Sequence, residues 1–198
     1  AYRDKYARKG IRAAEVSSLG SYMIDLYEEF HGDKTIKVLC EGAQGFGLDV
    51  DWGDYPYVTS SHCGVGSAFL NAVDPRWLRD VWGVAKIYET YVGAKSFEPD
   101  EPVFQALRDL GEEYGATTGR PRQCNWLNLD ELKKNIVLNS VNKLVINKMD
   151  VMRNLGQWKL YHDSSLVSLE SEDEICNYIT MQLPNNIEIF FSDNKNRI

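Results

Sequence analysis

The 198-residue sequence has no long hydrophobic run and no excess of basic charge. Apolar stretches such as Leu144–Ile146 are only a few residues long, whereas a helix needs about 20 apolar residues to cross a bilayer. The formal charge is −7 and the pI is about 5.0, so the chain lacks the broad basic surface that attracts nucleic acid or an anionic membrane. We therefore expect neither nucleic acid nor a membrane among its partners, and a soluble protein.

Cysteine is scarce, and its pattern is not that of a metal centre. Cys40, Cys63, Cys124 and Cys176 form no C-x-x-C pair and have no histidine at a spacing typical of zinc ligands. We expect neither a zinc centre nor a disulfide framework, and the cysteine usage predicts a reducing, cytoplasmic setting.

The phosphate-binding pattern G-x-x-x-x-G-K-[S/T] is missing, as are repeats and low-complexity segments. A small GTP-binding module is therefore disfavoured, because such a module requires that loop. With 43% hydrophobic residues, the chain can bury one sizeable core. We expect a single domain over residues 1–198.

Helical and strand periodicities alternate along the chain, which indicates an α/β fold with a largely parallel sheet flanked by helices. Strands are predicted at 35–40, 83–92, 143–146, 158–161 and 187–191. Helices are predicted from Ser17 or Ser18 to about Gly32, from Asp74, from Asp100, from Asn128 or Asp130, and over 172–181. Ligands of such folds bind beyond the carboxyl ends of strands.

The first motif with chemical potential is Glu41-Gly42-Ala43-Gln44-Gly45, followed by Tyr55–Ser61. Glycine lets the main chain approach a ligand, and the Gln44 amide can both donate to and accept from a purine edge. Thr59 and the two serines after it offer hydroxyl groups to a phosphate. The alternative is a glycine-rich connection and a hydroxyl-rich turn that bind nothing.

The second motif is the basic loop Gly115–Arg122, which contains two threonines, a glycine and two arginines. Guanidinium groups bind carboxylates and phosphates through two parallel hydrogen bonds, so this loop is suited to an anion. A solvated loop with ordinary surface arginines is the alternative.

The third motif, Asn147-Lys148-Met149-Asp150, follows an apolar strand and matches the N-K-x-D pattern that binds guanine. A carboxylate accepts from N1–H and the 2-amino group of guanine, which adenine does not offer in that arrangement. A surface turn at a strand end is the alternative interpretation.

The order of these motifs resembles the adenylosuccinate synthetase family, which joins L-aspartate to inosine monophosphate while cleaving GTP. Residues 1–12 are similar to the family segment A-Y-x-D-K-x-A-R-R-G-x-R. Because Ala1 lies inside that motif, we interpret residues 1–198 as the C-terminal portion of such an enzyme. The implied fold is the P-loop-NTPase-like fold of the family without its N-terminal part.

The resemblance places the phosphate loop, the catalytic base and acid, and the Mg²⁺ ligand in that N-terminal part. It therefore implies no catalytic residue and no metal ligand here, and we expect the isolated chain to be inactive.

The resemblance also implies ligand contacts, position by position. For inosine monophosphate they are Arg8, which would reach across a homodimer interface, and Gln44, Leu48, Thr59, Val92 and Arg120. For aspartate they are Ala116, Thr117, Thr118, Gly119, Arg120 and Arg122. For GTP they are Arg122, Lys148, Met149, Asp150, Ser192, Asp193 and Asn194.

The chain departs from the family pattern at three places. His62, Cys63 and Gly64 stand where the family usually has an asparagine and two threonines, Pro121 replaces an arginine, and Asn194 replaces a glycine. Two other functions stay open: a viral-type relative that acts on deoxyguanylate, and a nucleotide-binding protein without catalysis.

The remaining polar and aromatic residues are given structural roles. We predict that His31 and His162 are solvated or capping residues, and that Glu112 and Glu113 face water. The tryptophans Trp77, Trp82, Trp126 and Trp158 are predicted to serve packing.

Overall fold

The computed structural model describes residues 25–32 and 36–193. The helices within them are α1 (Leu26–His31), α2 (Val103–Gly111), α3 (Leu129–Leu138), α4 (Met149–Leu155) and α5 (Glu172–Gln182). The strands are β1 (Trp82–Lys86), β2 (Tyr88–Tyr91), β3 (Gln123–Asn128), β4 (Lys143–Asn147), β5 (Trp158–His162), β6 (Ser165–Leu169) and β7 (Glu188–Phe191). Short 3₁₀ helices span Phe46–Leu48, Val65–Asn71 and Pro75–Trp77.

The strands form two sheets. One is three-stranded and wholly parallel, in the order β1-β4-β7. The other has the order β2-β3-β5-β6, with β3 and β5 parallel and both outer strands antiparallel to their neighbours. The predicted α/β class with a parallel sheet flanked by helices is confirmed, and the second sheet adds a mixed layer.

The core lies between the sheets and the helices. In α2 the buried residues Phe104, Leu107, Arg108 and Gly111 recur at a spacing of three or four, which places one face of the helix inward. Phe104 packs on Trp126 of β3 with ring centroids 5.1 Å apart. The described helices include none that is both long enough and apolar enough to cross a membrane.

Helix starts follow local side-chain chemistry. Asn128 caps α3, because its side-chain oxygen accepts from the N–H groups of Asp130 and Glu131 at 3.1 Å each. Asp74 caps only the short turn Pro75–Trp77. The predicted cap at Asp100 is wrong, since α2 begins at Val103 after Pro102, which has no side-chain cap.

The predicted strand over 83–92 is two strands in different sheets. They are separated at Ile87, which is fully buried and takes the chain from one sheet to the other. A continuous run of β-forming residues does not reveal such a change of partner, because the run looks the same on both sides of the break.

The predicted strand over 35–40 is wrong for residues 36–40, which belong to no strand. Val38 and Leu39 are 43% and 91% exposed, so no strand or apolar layer among residues 25–32 and 36–193 supports this segment. The predicted helix ending near Gly32 is confirmed over Leu26–His31, with Asp25 as its cap, whereas Ser17 and Ser18 lie outside the described residues.

Three of the described strands and helices had no sequence prediction: β3, β6 and α4. The strand β6 pairs with β5 through a tight turn in which Asp163 and Ser164 have φ of 49° and 59°, the left-handed geometry that suits a hairpin. The helix α4 begins directly after Lys148.

The aromatic and histidine predictions had mixed outcomes. Trp126 and Trp158 are buried as predicted, while Trp77 and Trp82 are about half exposed, at 42% and 45%. The surface prediction for His162 is wrong: it is 8% exposed, and its Nδ1 lies 2.8 Å from the hydroxyl of Tyr178.

Candidate functional site

The carboxyl ends of β1, β4 and β7 form one edge of the parallel sheet. The register pairs Lys86 with Asn147, and Ile146 with Phe191, so the chain leaves all three strands on the same side. Such an edge is where α/β folds bind ligands, because loops diverge there and leave a crevice.

The segment after β4 lies against the segment after β7. The Met149 N–H donates to the main-chain oxygen of Ser192 at 3.2 Å, and the Ser192 N–H donates to Ile146 at 2.9 Å. Asp150 is in the first turn of α4, and Asp193 lies 3.4 Å from Arg153. The predicted guanine residues 148–150 and 192–193 are therefore brought together, while Asn194 lies outside the described residues.

Two further features mark this strand end. Lys148 has a φ of 67°, a left-handed conformation that is uncommon for a residue with a side chain. The Oδ1 atom of Asn147 is buried and has no hydrogen-bond partner among the described residues. An unpaired buried acceptor is costly, so Asn147 offers a site for a donor.

The basic loop lies beside the same edge. The Lys148 Nζ donates to the main-chain oxygen of Gly111, the last residue of α2, at 3.0 Å. The loop closes on itself: the Gly115 N–H donates to Arg120 and the Gly119 N–H donates to Gly115, both at 2.8 Å. Residues 116–120 are exposed, as expected for a loop that receives a ligand.

The two arginines of the loop differ in their surroundings. Arg120 is exposed, and within the described residues its guanidinium takes part in no ion pair. Arg122 donates from Nη1 to Glu113 Oε2 at 2.9 Å and is 35% exposed at its side chain. Arg120 is thus open to an anion, whereas Arg122 is held against the protein.

Glu113 anchors the base of this loop, so the prediction that it faces water is wrong. Its side chain is 3% exposed. Oε1 accepts from the Lys86 Nζ and from the Tyr88 hydroxyl at 2.7 Å each, and Oε2 accepts from Arg122. A carboxylate at this depth is stable only with such partners.

The charges of this cluster shift each other's protonation. Burial raises the pKa of Glu113, but the hydrogen bonds from Lys86 and Tyr88 and the nearby cations outweigh burial and hold the pKa below its usual value. Burial lowers the pKa of Lys86, with Glu113 opposing that change. Burial and the neighbouring Glu113 both raise the pKa of Tyr88, which therefore stays a hydrogen-bond donor.

No sequence pattern indicated the roles of Glu113 or Lys86. An acidic pair after a helix resembles any solvated helix end, and a lysine at a strand end resembles any edge residue. Only the folded chain, in which the residues after α2 reach the end of β1, shows that the two side chains meet.

The predicted nucleotide segment forms a second part of the candidate site. The Thr59 N–H donates to the main-chain oxygen of Leu48 at 2.8 Å, so these two residues lie side by side. Gln44 is exposed with a φ of 66°. Its Oε1 is 3.8 Å from the Cys63 sulfur.

Asp49 holds this segment in shape. It is 2% exposed, and its carboxylate accepts from the N–H groups of Asp51, Trp52 and Cys63. Burial alone would raise the pKa of Asp49. The hydrogen bonds from these main-chain N–H groups outweigh burial and hold the pKa below its usual value, so the carboxyl stays ionised.

Val92 is 53% exposed and lies in a segment that two contacts fix. The Gln123 amide donates to the main-chain oxygens of Gly93 and Lys95 at 3.3 and 2.8 Å, and Lys95 forms an ion pair with Asp54. The Val92 segment is thereby tied to the turn between Leu48 and Thr59.

The nucleotide segment and the basic loop stay apart as far as direct bonds are concerned. Within residues 36–193, no hydrogen bond or ion pair joins residues 44–63 to residues 115–122. Arg8 lies outside the described residues.

A cleft of about 320 Å³ opens beside the nucleotide segment, lined by Asp49, His62, Asn139 and apolar neighbours.

Among the described residues, two groups of side chains could hold a metal ion. They are Asp49, Asp51 and His62 beside that cleft, and Asp130, His162 and Asp163 at the end of β5. Neither group includes a residue of the basic loop.

Known proteins with similar sequences and structures share one family. The family model for adenylosuccinate synthetase matches residues 16–166. An adenylosuccinate synthetase of Xylella fastidiosa (strain M12) is 42% identical over 159 residues, which are 75% of this chain and 37% of that protein. The fully ligated adenylosuccinate synthetase of Plasmodium falciparum is 37% identical with a TM-score of 0.58, over 69% of this chain and 35% of that one.

A viral enzyme gives a weaker match. The succinoaminodeoxyadenylate synthetase of cyanophage S-2L, bound to dGMP and dATP, is 17% identical with a TM-score of 0.44, too remote to carry an argument about substrate. The present chain matches 37% of the Xylella protein's length, so its match spans little more than a third of that relative. With a family model that matches most of its length and relatives at this identity, the chain belongs to the adenylosuccinate synthetase family.

Proposed function

We propose that this chain provides GTP, inosine monophosphate and aspartate contacts in an enzyme that joins L-aspartate to inosine monophosphate to form adenylosuccinate. One observation carries the proposal: the segment Lys148–Asp150 meets Ser192 and Asp193 at the carboxyl edge of the parallel sheet. The Lys148 hydrogen bond to Gly111 adds the end of α2, the helix that leads into the basic loop. The activity of the whole protein is part of this proposal, since the matched part of the chain spans 37% of the Xylella relative.

The guanine base of GTP is assigned to the strand end. Asp150 would accept from N1–H and the 2-amino group of guanine, and the Lys148 stem would lie along the ring. Met149 is 1% exposed, so it would contribute through its main chain rather than its side chain. The Oδ1 atom of Asn147 has no hydrogen-bond partner among the described residues. It would accept a hydrogen bond from the base or from a protein group that moves when the base binds.

Aspartate is assigned to the loop from Ala116 to Arg122. The free guanidinium of Arg120 suits a substrate carboxylate or a phosphate, because it can donate two parallel hydrogen bonds. Inosine monophosphate is assigned to Gln44, Leu48, Thr59 and Val92, with Arg120 shared between the two ligands. We also propose a homodimer in which Arg8 reaches the nucleotide of the partner subunit, and a cytoplasmic location.

In the proposed reaction, the purine 6-oxygen takes up the γ-phosphoryl group of GTP, and the aspartate amine then displaces that phosphate. Catalysis of phosphoryl transfer rests on positioning and charge neutralisation, which Arg120 and Arg122 would supply from this chain. Mg²⁺ would accompany GTP. Glu113 is already neutralised by Lys86 and Arg122, so we assign no Mg²⁺ ligand to this loop.

Calorimetric titration with GTP, ATP and xanthosine triphosphate tests the guanine assignment. We expect the chain to bind GTP in preference to ATP. Asp150→Asn should lose GTP affinity by about tenfold or more and gain xanthosine triphosphate, because an amide donates to the 2-oxo group that replaces the guanine amine. Asp100→Asn, at an exposed position, is the matched control. Unchanged GTP binding by Asp150→Asn would show that guanine binds elsewhere.

Titration with inosine monophosphate and dGMP tests the nucleotide assignment separately. Preference for inosine monophosphate, reduced by Gln44→Ala, is expected. Tighter binding of dGMP would replace the proposed substrate with the deoxyguanylate of the viral-type enzymes.

A further inference from the structure

Two carboxylates and an imidazole meet beside the nucleotide segment. Asp49, Asp51 and His62 each offer one ligand atom, and these three atoms lie within 4.8 Å of one another. The Oδ2 atom of Asp51 is 3.3 Å from the Nδ1 atom of His62. The proposed binding of inosine monophosphate and GTP uses none of these side chains.

Main-chain hydrogen bonds hold Asp49, Asp51 and His62 near one another independently of the contact between Asp51 and His62. Asp49 Oδ1 accepts from the Asp51 N–H at 2.9 Å, and its Oδ2 accepts from the Cys63 N–H at 2.6 Å. The Val50 N–H also donates to Ser61 at 3.2 Å. Because the backbone on both sides of the group is held in place, little ordering would be needed for the side chains to bind a ligand.

Two members of the group are accessible, and the group has excess negative charge. The side chains of His62 and Asp51 are 50% and 64% exposed, whereas Asp49 is 2% exposed and shares with His62 the wall of the cleft of about 320 Å³. Within residues 36–193, neither Asp49 nor Asp51 forms an ion pair with a lysine or arginine. A cation that enters the cleft with its water ligands therefore meets the exposed Asp51 and His62 first, and the Asp49 carboxylate at the cleft wall completes the group.

We propose that Asp49, Asp51 and His62 form a binding site for one divalent transition-metal ion such as Zn²⁺ or Ni²⁺. Imidazole nitrogen favours these ions, whereas Mg²⁺ and Ca²⁺ favour sites made of oxygen alone. Three protein ligands leave the remaining coordination positions to water or to a ligand in the cleft.

The other metal-like group in the described part of the chain is a useful contrast. There the Lys133 Nζ lies 3.4 Å from the His162 Nε2. Its positive charge opposes a cation at the same nitrogen, so the proposal is confined to the group at His62.

Metal binding here would connect two parts of the nucleotide segment. Asp49 directly follows Leu48, and His62 lies beyond Thr59, which is itself bonded to Leu48. A bound ion would join the turn at Asp51 to His62 and restrain the Thr59 backbone between them.

Calorimetry of the untagged 198-residue chain with NiCl₂ or ZnCl₂ tests the proposal. We expect one ion per chain, with affinity reduced at least about tenfold in His62→Asn and in Asp51→Asn. His31→Asn is the matched control, because His31 is exposed on α1 and stacks on Tyr27. Absence of binding by the unchanged chain, equal affinity in His62→Asn, or loss of binding in His31→Asn would each overturn the site.

A spectroscopic measurement on the unchanged chain does not depend on how the variants fold. Addition of Zn²⁺ should shift the imidazole NMR resonances of His62 and leave those of His31 in place. Shifts confined to His162 would place the ion at the end of β5 instead and contradict the proposal.

Discussion

The Lys148 Nζ donates to the main-chain oxygen of Gly111 at 3.0 Å, which connects the strand end assigned to guanine with the helix that leads into the basic loop. Lys148 makes this contact from a left-handed backbone conformation, with φ of 67°. Lys148 thus connects the strand end assigned to guanine with the end of α2. Its substitution should affect both the strand end and the basic loop that follows α2.

Lys148→Ala should lower the free energy of unfolding by about 1–2 kcal/mol, because the charged hydrogen bond to Gly111 is lost and the left-handed strain stays. Lys148→Gly loses the same bond but relieves the strain, so it should be more stable than Lys148→Ala by about 0.5–1 kcal/mol. Urea denaturation of the two variants measures the difference. Equal stability would mean that the backbone conformation at Lys148 costs nothing.

Glu113→Gln should lower the free energy of unfolding by about 3 kcal/mol, because Lys86 and Arg122 lose their shared counterion, a carboxylate that is itself buried. Glu112→Gln is the control, since Glu112 is exposed and its change should stay within about 0.5 kcal/mol. Similar losses in both variants would contradict the anchoring role of Glu113. Since the pKa of Glu113 is below its usual 4.5, its contribution is present above pH 4.5 and is lost on acidification below that value.

Arg120→Gln and Arg122→Gln should separate binding from stability. Arg120 has no ion pair with any described residue, so its replacement should change stability by less than about 0.5 kcal/mol while weakening aspartate or nucleotide binding. Arg122→Gln should cost about 1–2 kcal/mol of stability, because Glu113 loses a partner. Thermal unfolding and calorimetry, run side by side, check the pair. A large stability loss in Arg120→Gln would show that it is a structural residue.

Glu89→Gln should make the protein more stable at pH 8 but not at pH 4. Burial raises the pKa of Glu89 from 4.5 to about 7, so the stability that its protonated form contributes is complete below pH 4.5 and is lost as the pH rises through about 7. The variant should gain about 1–3 kcal/mol at pH 8 relative to the unchanged chain. Denaturation curves at several pH values test this. A gain that does not vary between pH 4 and 8 would exclude titration of Glu89 as its cause.

The purified 198-residue chain should form no adenylosuccinate from inosine monophosphate, aspartate, GTP and Mg²⁺. Its sequence contains no G-x-x-x-x-G-K-[S/T] loop, and its arginines alone do not hold the γ-phosphate in line for transfer. A full-length bacterial adenylosuccinate synthetase assayed in parallel is the positive control. Measurable product from the chain would refute the prediction of inactivity.

The sequence alone was sufficient where local chemistry decides structure. The apolar run at β4, the Asn128 cap of α3 and the spacing along α2 are properties of neighbouring residues, and each was confirmed. The order of the three motifs was also sufficient to indicate the family. The role of each site residue stays a prediction, because family membership does not show which atoms a ligand touches.

Only the tertiary structure decided what depends on partners distant in sequence. Residues 36–40 have β-forming composition but pair with no strand in the described part of the chain, and the segment 83–92 changes sheets at the buried Ile87. From sequence, Glu113 was predicted to face water at a helix end. In the folded chain it is buried and bonded to Lys86, Tyr88 and Arg122. The carboxylates of Asp49 and Asp51 likewise lie beside His62 only in the folded chain. The spacing of cysteines and histidines in the sequence does not predict this arrangement. Local sequence sets the conformations that a segment favours, and burial and charge pairing, which require the folded chain, select among them.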